Sequence, residues 1–240
     1  MADPTGQLKS LLEAKIVTGS SPLQHLDQLY LQVLSIAFPD ISSRIAGQLK
    51  MILGSIALLQ DLLPLSELEQ LLDCTTHGYL QQLQSVMIVP KNNDGLIHFI
   101  HPSFFDFIID PMRCSQKEFR VNAQIQHTVL AQRCLTAMKK LQKDICGLRD
   151  PTKLNQEFLD LPERVAQHIS PYLQYACRHW SVHLSNGMLS SDLLELLHHF
   201  CTHHLIHWVE VCSLLGNLKD ALVMLNSVQR FLAVSPFKEN

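Results

Sequence analysis

The sequence predicts a mainly α-helical protein: a winged-helix domain, in which helices are closed by a β-hairpin, followed by an all-α bundle or solenoid-like domain. Three observations predict it. Apolar residues recur at spacings of three and four through most of the chain, the period of a helix with one buried face. Strand-like pattern is confined to Val86–Val89 and Leu96–His101, with the turn run Asn93-Asp94-Gly95 between them. From Asn122 onward every segment reads as helix, without a convincing fixed-period repeat.

The elements follow in order. Ser21-Pro22 opens a helix over Leu23–Phe38, with Leu23, Leu26, Tyr30, Leu34 and Ala37 close to one face; Pro39 stops it. A second helix runs from Ser43 to Gln60 with the stripe Ile45, Leu49, Ile52, Ile56 and Leu59. Ser66 with Glu69 has the form of a capping box before Leu68, Leu71 and Leu72. A third helix covers His77–Ser85, with Tyr79, Leu80 and Leu83 inward, and the hairpin comes next. Pro102 suits the first turn of a further helix, pinned to the core by Phe104, Phe107 and Ile108. This order places a helical segment at 1–41, the winged helix at 42–110, a linker at 111–121 marked by Pro111 and the polar run Cys114–Lys117, and a helical domain at 122–240. Within the last, Ala123–Lys143, Pro162–Ile169, Pro171–Leu184, Asp192–Trp208 and Leu218–Ala233 read as helices, with Val209–Leu215 in one more.

Composition excludes several function classes. The chain has 240 residues, 47% hydrophobic and 17% charged, with a formal net charge of −3. No basic excess is available to neutralise phosphates of nucleic acid. The helix at the recognition position, residues 76–85, has no Lys or Arg, and the wing Lys91-Asn92-Asn93-Asp94 has one base and one acid; no nucleic-acid partner is expected. Lys139, Lys140 and Lys143 read as a solvated helix face near a C-terminus. Seven scattered cysteines without a CxxC suggest reduced thiols in the cytoplasm. Met1-Ala2-Asp3-Pro4 does not read as the start of a signal peptide, so none is expected. Met51–Leu65, broken by Gln60, Asp61 and Pro64, is too short to span a bilayer, so no membrane partner is expected.

Catalytic motifs are missing. Nine glycines are spread so that none lies within six residues of another, so neither a P-loop nor GxGxxG occurs; GxSxG and HExxH are absent too. The chain is expected to be no enzyme, to hold no cofactor of its own and to turn over no ATP. His198, His199, Cys201, His203, His204 and His207 crowd into ten residues, and on a helix His199, His203 and His207 share a face. Without a carboxylate or a distant third ligand they read as packing or polar histidines, not as a metal site.

His101 is the residue singled out. It precedes Pro102 and is therefore extended, at the end of a strand and the mouth of a helix, where free backbone N–H groups and the dipole favour an anion. A neutral imidazole can donate one further hydrogen bond to a phosphate oxygen. A histidine that merely caps its own helix is the simpler reading of the residues alone.

HFIHPSFFDFIID resembles the strand-to-helix motif that closes the winged-helix domain of NACHT-type STAND NTPases, the NLR-like signalling ATPases. SPLQHLDQLYLQVLSIAF looks like the helical segment joining their nucleotide-binding core to the winged helix, the end of the NACHT-associated helical domain. MKKLQKDICGL, LQYACRHWSVHL and HWVEVCSLLGNLKDAL look like the helical region that follows. The set is similar to large fungal NACHT proteins, many with C-terminal WD40 or other repeats, and covers residues 3 to 235. In that family a histidine at the position of His101 contacts the β-phosphate of bound ADP and holds the closed, autoinhibited state. The resemblance thus implies nucleotide-state sensing and signal transduction. ADP or ATP would be the ligand of a full-length parent. The partners would be a nucleotide-binding core before Met1 and a repeat sensor after Asn240, with oligomerisation on activation. On this view the chain is a gene fragment or a free-standing remnant. Phe105 stands where these proteins often carry a basic or small residue. The competing expectations are a free-standing helical protein-interaction module and a DNA-binding winged helix.

Overall fold

The structure is a computed structural model that describes residues 22–234 except 91, 93 and 151. The first 21 residues of the expected 1–41 segment, and Lys91 and Asn93 of the hairpin, lie outside the described residues. Among the described residues the protein is mainly helical, with eleven α-helices and one two-stranded sheet.

Helix α1 (Pro22–Ala37) buries Asp27, Tyr30 and Leu34 along one face, while Leu23 stays exposed. Helix α2 (Ser43–Leu58) is capped by Ser42, whose hydroxyl accepts the Ile45 N–H at 3.4 Å. Leu49, Ile52, Leu53 and Ile56 are buried, and Ile45 is left at the rim. Helix α3 (Leu65–Leu72) starts differently from the expected capping box: Pro64 is the N-cap and no side chain caps it. Pro64 pairs with Leu96 in an isolated antiparallel bridge, and the Leu65 N–H goes to Gly95 O at 3.1 Å. Glu69 turns the other way. Its carboxylate accepts from Thr76 N (2.6 Å), Thr76 Oγ1 (3.1 Å) and His77 N (3.3 Å), closing the turn into α4.

Helix α4 (His77–Leu80) ends in a 3₁₀ turn at Gln81–Leu83, shorter than the expected helix to Ser85. The hairpin pairs β1 (Met87–Ile88) with β2 (His98–Phe99), Met87 opposite Phe99 and Ile88 opposite His98. Helix α5 (Pro102–Ile109) carries Pro102 in its first turn and buries Phe104, Phe107 and Ile108.

The remaining helices are α6 (Ala123–Ala137), α7 (Leu161–His168), α8 (Pro171–Asn186), α9 (Ser191–His203), α10 (Leu205–Leu214) and α11 (Leu218–Val234). Antiparallel neighbours α6 and α8 form the centre; α2 packs on α6, α3 on both, α9 on α6 and α11 on α8. Gly54 permits the close approach of α2 and α6, since a Cβ there would lie 2.8 Å from Gln126 and Val121 side-chain atoms. One apolar cluster runs without a break from Tyr30 to Val228. Residues 111–121 are fastened to it: Cys114, Phe119 and Val121 are buried, and the Val121 N–H donates to Ile108 O at 2.8 Å.

The expected single helix Asp192–Trp208 is two helices. The chain turns at His204 (φ −124°, ψ −7°). No Pro or Gly marks the break; packing makes it. Trp208 is wholly buried, donates Nε1–H to Cys177 O at 2.9 Å, and meets Trp180 edge-on at 5.8 Å. Such a side chain contributes about 1.5–3 kcal/mol through burial, enough to offset a few helical bonds. No helix among the described residues is long and apolar enough to cross a membrane.

Candidate functional site

The hairpin and α5 position His101. The ladder extends past β2 through the Ile100 N–H, which donates to Val86 O at 3.0 Å. His101 follows at φ −138°, ψ 138°, the extended backbone imposed by Pro102, and serves as N-cap of α5. Its Nδ1 accepts the Ser103 N–H at 3.1 Å, and Ser103 Oγ lies 2.7 Å from the same nitrogen. Ser103 Oγ is in turn 2.6 Å from the Tyr30 hydroxyl on α1. The residue is exposed. Geometrically, then, His101 is a capping histidine. Because Nδ1 accepts, the neutral ring carries its proton on Nε2, which has no hydrogen-bond partner among the described residues. The cap and an outward contact use different nitrogens and do not compete. The Phe104 N–H also turns inward, to His101 O at 3.2 Å, so the helix mouth offers fewer free backbone donors than the sequence suggests. Phe105 is half-buried.

The seat beneath is rigid. Tyr30 meets Phe104 edge-on at 5.0 Å and Phe107 at 5.3 Å. One helical turn away, Asp27 receives a forked bond from Arg113 at 2.8–3.2 Å, with both side chains mostly buried. Sequence reading counted Tyr30 as core and left Asp27 and Arg113 unremarked.

The histidine-rich stretch is split by the turn at His204, so His199, His203 and His207 do not share one helix. His199 and His203 stack at 4.5 Å, and His204 Nδ1 is 3.1 Å from Leu141 O. Among the described residues no three His, Cys, Asp or Glu side chains are arranged to hold a metal ion. The seven cysteines are free thiols. Burial pushes Cys114 up to about 11 and raises the rest, which leaves little thiolate for chemistry.

A second polar cluster was not anticipated. Tyr175 on α8 accepts the Gln60 N–H at 3.2 Å and lies 2.7 Å from His183 Nε2, whose Nδ1 is 2.9 Å from His127 Nδ1 on α6. Burial, then the neighbouring His127 and His179, push His183 down to about 3. Its only signal in the sequence is His179 and His183 on one helical face.

A cleft of about 660 Å³ lies between the 143–158 segment and α10, with Lys143, Arg149, Lys153, Phe158, Glu210 and Leu214 on its walls. In comparison with known proteins, no family model, no curated protein and no solved structure matches the chain.

Proposed function

We propose that this chain is a nucleotide-state-sensing, autoinhibitory segment of an NLR-like STAND signalling ATPase, with residues 42–110 as its winged helix and His101 as the contact to an ADP phosphate. The observation that carries the reading is the division of labour in His101: Nδ1 is spent on the cap, and the Nε2–H donor stands unpartnered at the end of a strand held by an aromatic seat. Three helices before a hairpin, with the extra bridge Pro64–Leu96 at its edge, support the winged-helix part. The segment itself performs no hydrolysis; turnover belongs to a nucleotide-binding core preceding it, and a repeat sensor following it supplies the trigger.

The test is ADP retention in a chain that joins this segment to such a core. H101A removes one donor to a charged oxygen, worth about 1.5–3 kcal/mol, so ADP should be held about ten- to hundred-fold less tightly and the closed state depleted accordingly. Unchanged ADP affinity and unchanged assembly would reduce His101 to a cap. The mixed polar and apolar cleft beside α10 favours a second reading, a helical protein-interaction module; charge reversal at Arg149 abolishing capture of a defined partner would support it. DNA binding is disfavoured by a recognition-position helix of four residues without Lys or Arg.

A further inference from the structure

Resting on the reading of His101 as a phosphate sensor, we propose that Tyr30 and Ser103 are its positioning residues, so that the seat of α1 on α5 sets the sensor. The directions of the hydrogen bonds carry this. A backbone N–H can only donate, so the 3.1 Å contact from Ser103 N makes His101 Nδ1 an acceptor. Ser103 Oγ, 2.7 Å from that same nitrogen, must then donate its single hydrogen to it. With that hydrogen spent, Ser103 Oγ can only accept at 2.6 Å from the Tyr30 hydroxyl. The relay runs one way, from Tyr30 through Ser103 to His101, and keeps the ring proton on Nε2.

The origin of the relay is fixed by helix packing. Asp27, Tyr30 and Leu34 lie on one face of α1: Asp27 is held by Arg113, Tyr30 sits against Phe104 and Phe107, and Leu34 is wholly buried. A shift of α1 away from Ser103 by about 1.5 Å lengthens the 2.6 Å contact to about 4.1 Å, beyond hydrogen-bonding range. The Ser103 hydroxyl is then free to rotate, Nδ1 loses one of its two donors, and the ring can turn its Nε2–H away. By linkage, whatever holds Nε2–H also holds α1 in place.

The test needs no nucleotide: ¹⁵N NMR of the histidine rings in the 240-residue chain, at mildly alkaline pH where imidazoles are neutral. Y30F keeps the ring against Phe104 and Phe107 and removes only the hydroxyl. S103A removes the middle member, and S103T restores a hydroxyl. In Y30F and S103A the His101 Nδ1 resonance should move toward that of a free acceptor nitrogen and the Nδ1–H tautomer should gain, while S103T returns both to the wild-type position. Indistinguishable His101 signals in wild type, Y30F and S103A overturn the relay, as does S103T behaving like S103A. Because no ADP enters, the outcome is separate from that of H101A in the core-bearing chain. An intact relay with unchanged ADP retention overturns the sensor and its regulation by α1, and leaves an α1–α5 fastening.

Discussion

Replacing Tyr175 with Phe removes one oxygen from the junction of α6, α8 and the α2–α3 connection. That oxygen accepts the Gln60 N–H at 3.2 Å and lies 2.7 Å from His183 Nε2. The arrangement that leaves neither Tyr175 nor His183 with an unpaired hydrogen has Tyr175 donating to Nε2, and His183 Nδ1–H donating to His127 Nδ1 at 2.9 Å. Without the hydroxyl, Nε2 of the fully buried His183 is orphaned, at a cost of about 1–3 kcal/mol. Gln60 is exposed, so its N–H recovers a water and adds little. For a domain of this size that is roughly a 2–12 °C fall in Tm. The cluster also makes stability depend on pH. The unfolded imidazole titrates near 6.5, whereas burial and its histidine neighbours hold His183 at about 3 in the fold; burial lowers His127 as well. The unfolded chain takes the proton first. The contribution is therefore complete above about pH 6.5 and is lost as pH falls toward 3, on the order of 1.4 kcal/mol per pH unit for His183. Urea unfolding followed by far-UV circular dichroism at pH 7.5 and 5.0 reads both effects. Y175F within about 0.5 kcal/mol of wild type at pH 7.5, or a wild-type stability that does not fall between the two pH values, would refute the reasoning.

Three further outcomes are expected. G54A drives a methyl against Gln126 and Val121, 2.8 Å away, and should cost about 1–3 kcal/mol in the same unfolding assay by pushing α2 off α6; a neutral result would mean that the interface relaxes freely. N122A removes the side-chain oxygen that accepts the Ile125 N–H at 3.0 Å and should cost about 1 kcal/mol, checked by the urea midpoint. H101A in this chain alone loses its cap, but Ser103 is not deeply buried, so the unfolding midpoint should shift by no more than about 1 kcal/mol, while ADP retention in a core-bearing chain falls about ten- to hundred-fold.

The sequence by itself determined what depends on residues within a turn or two of one another. The spacing in α2, the proline opening α5 and the two short strands rest on contacts between near neighbours, so the helical class and the extended, helix-capping place of His101 were legible. That α1 backs this cap was not, because Tyr30 and Ser103 meet across 73 residues. Tyr175 and Gln60 meet across 115, and Asp27 finds Arg113 across 86. The box expected at Ser66 and Glu69 failed for the same reason: Leu65 gave its N–H to Gly95, and Glu69 found better donors in the next turn. Nothing local stops a helix at His204; the chain turns there because Trp208 gains more by burial against Trp180 and Cys177 than the helix loses in backbone bonds. Local pattern sets which segments can be helical, and the long-range burial of a few large or polar side chains decides where they stop and which of their atoms are left free to act.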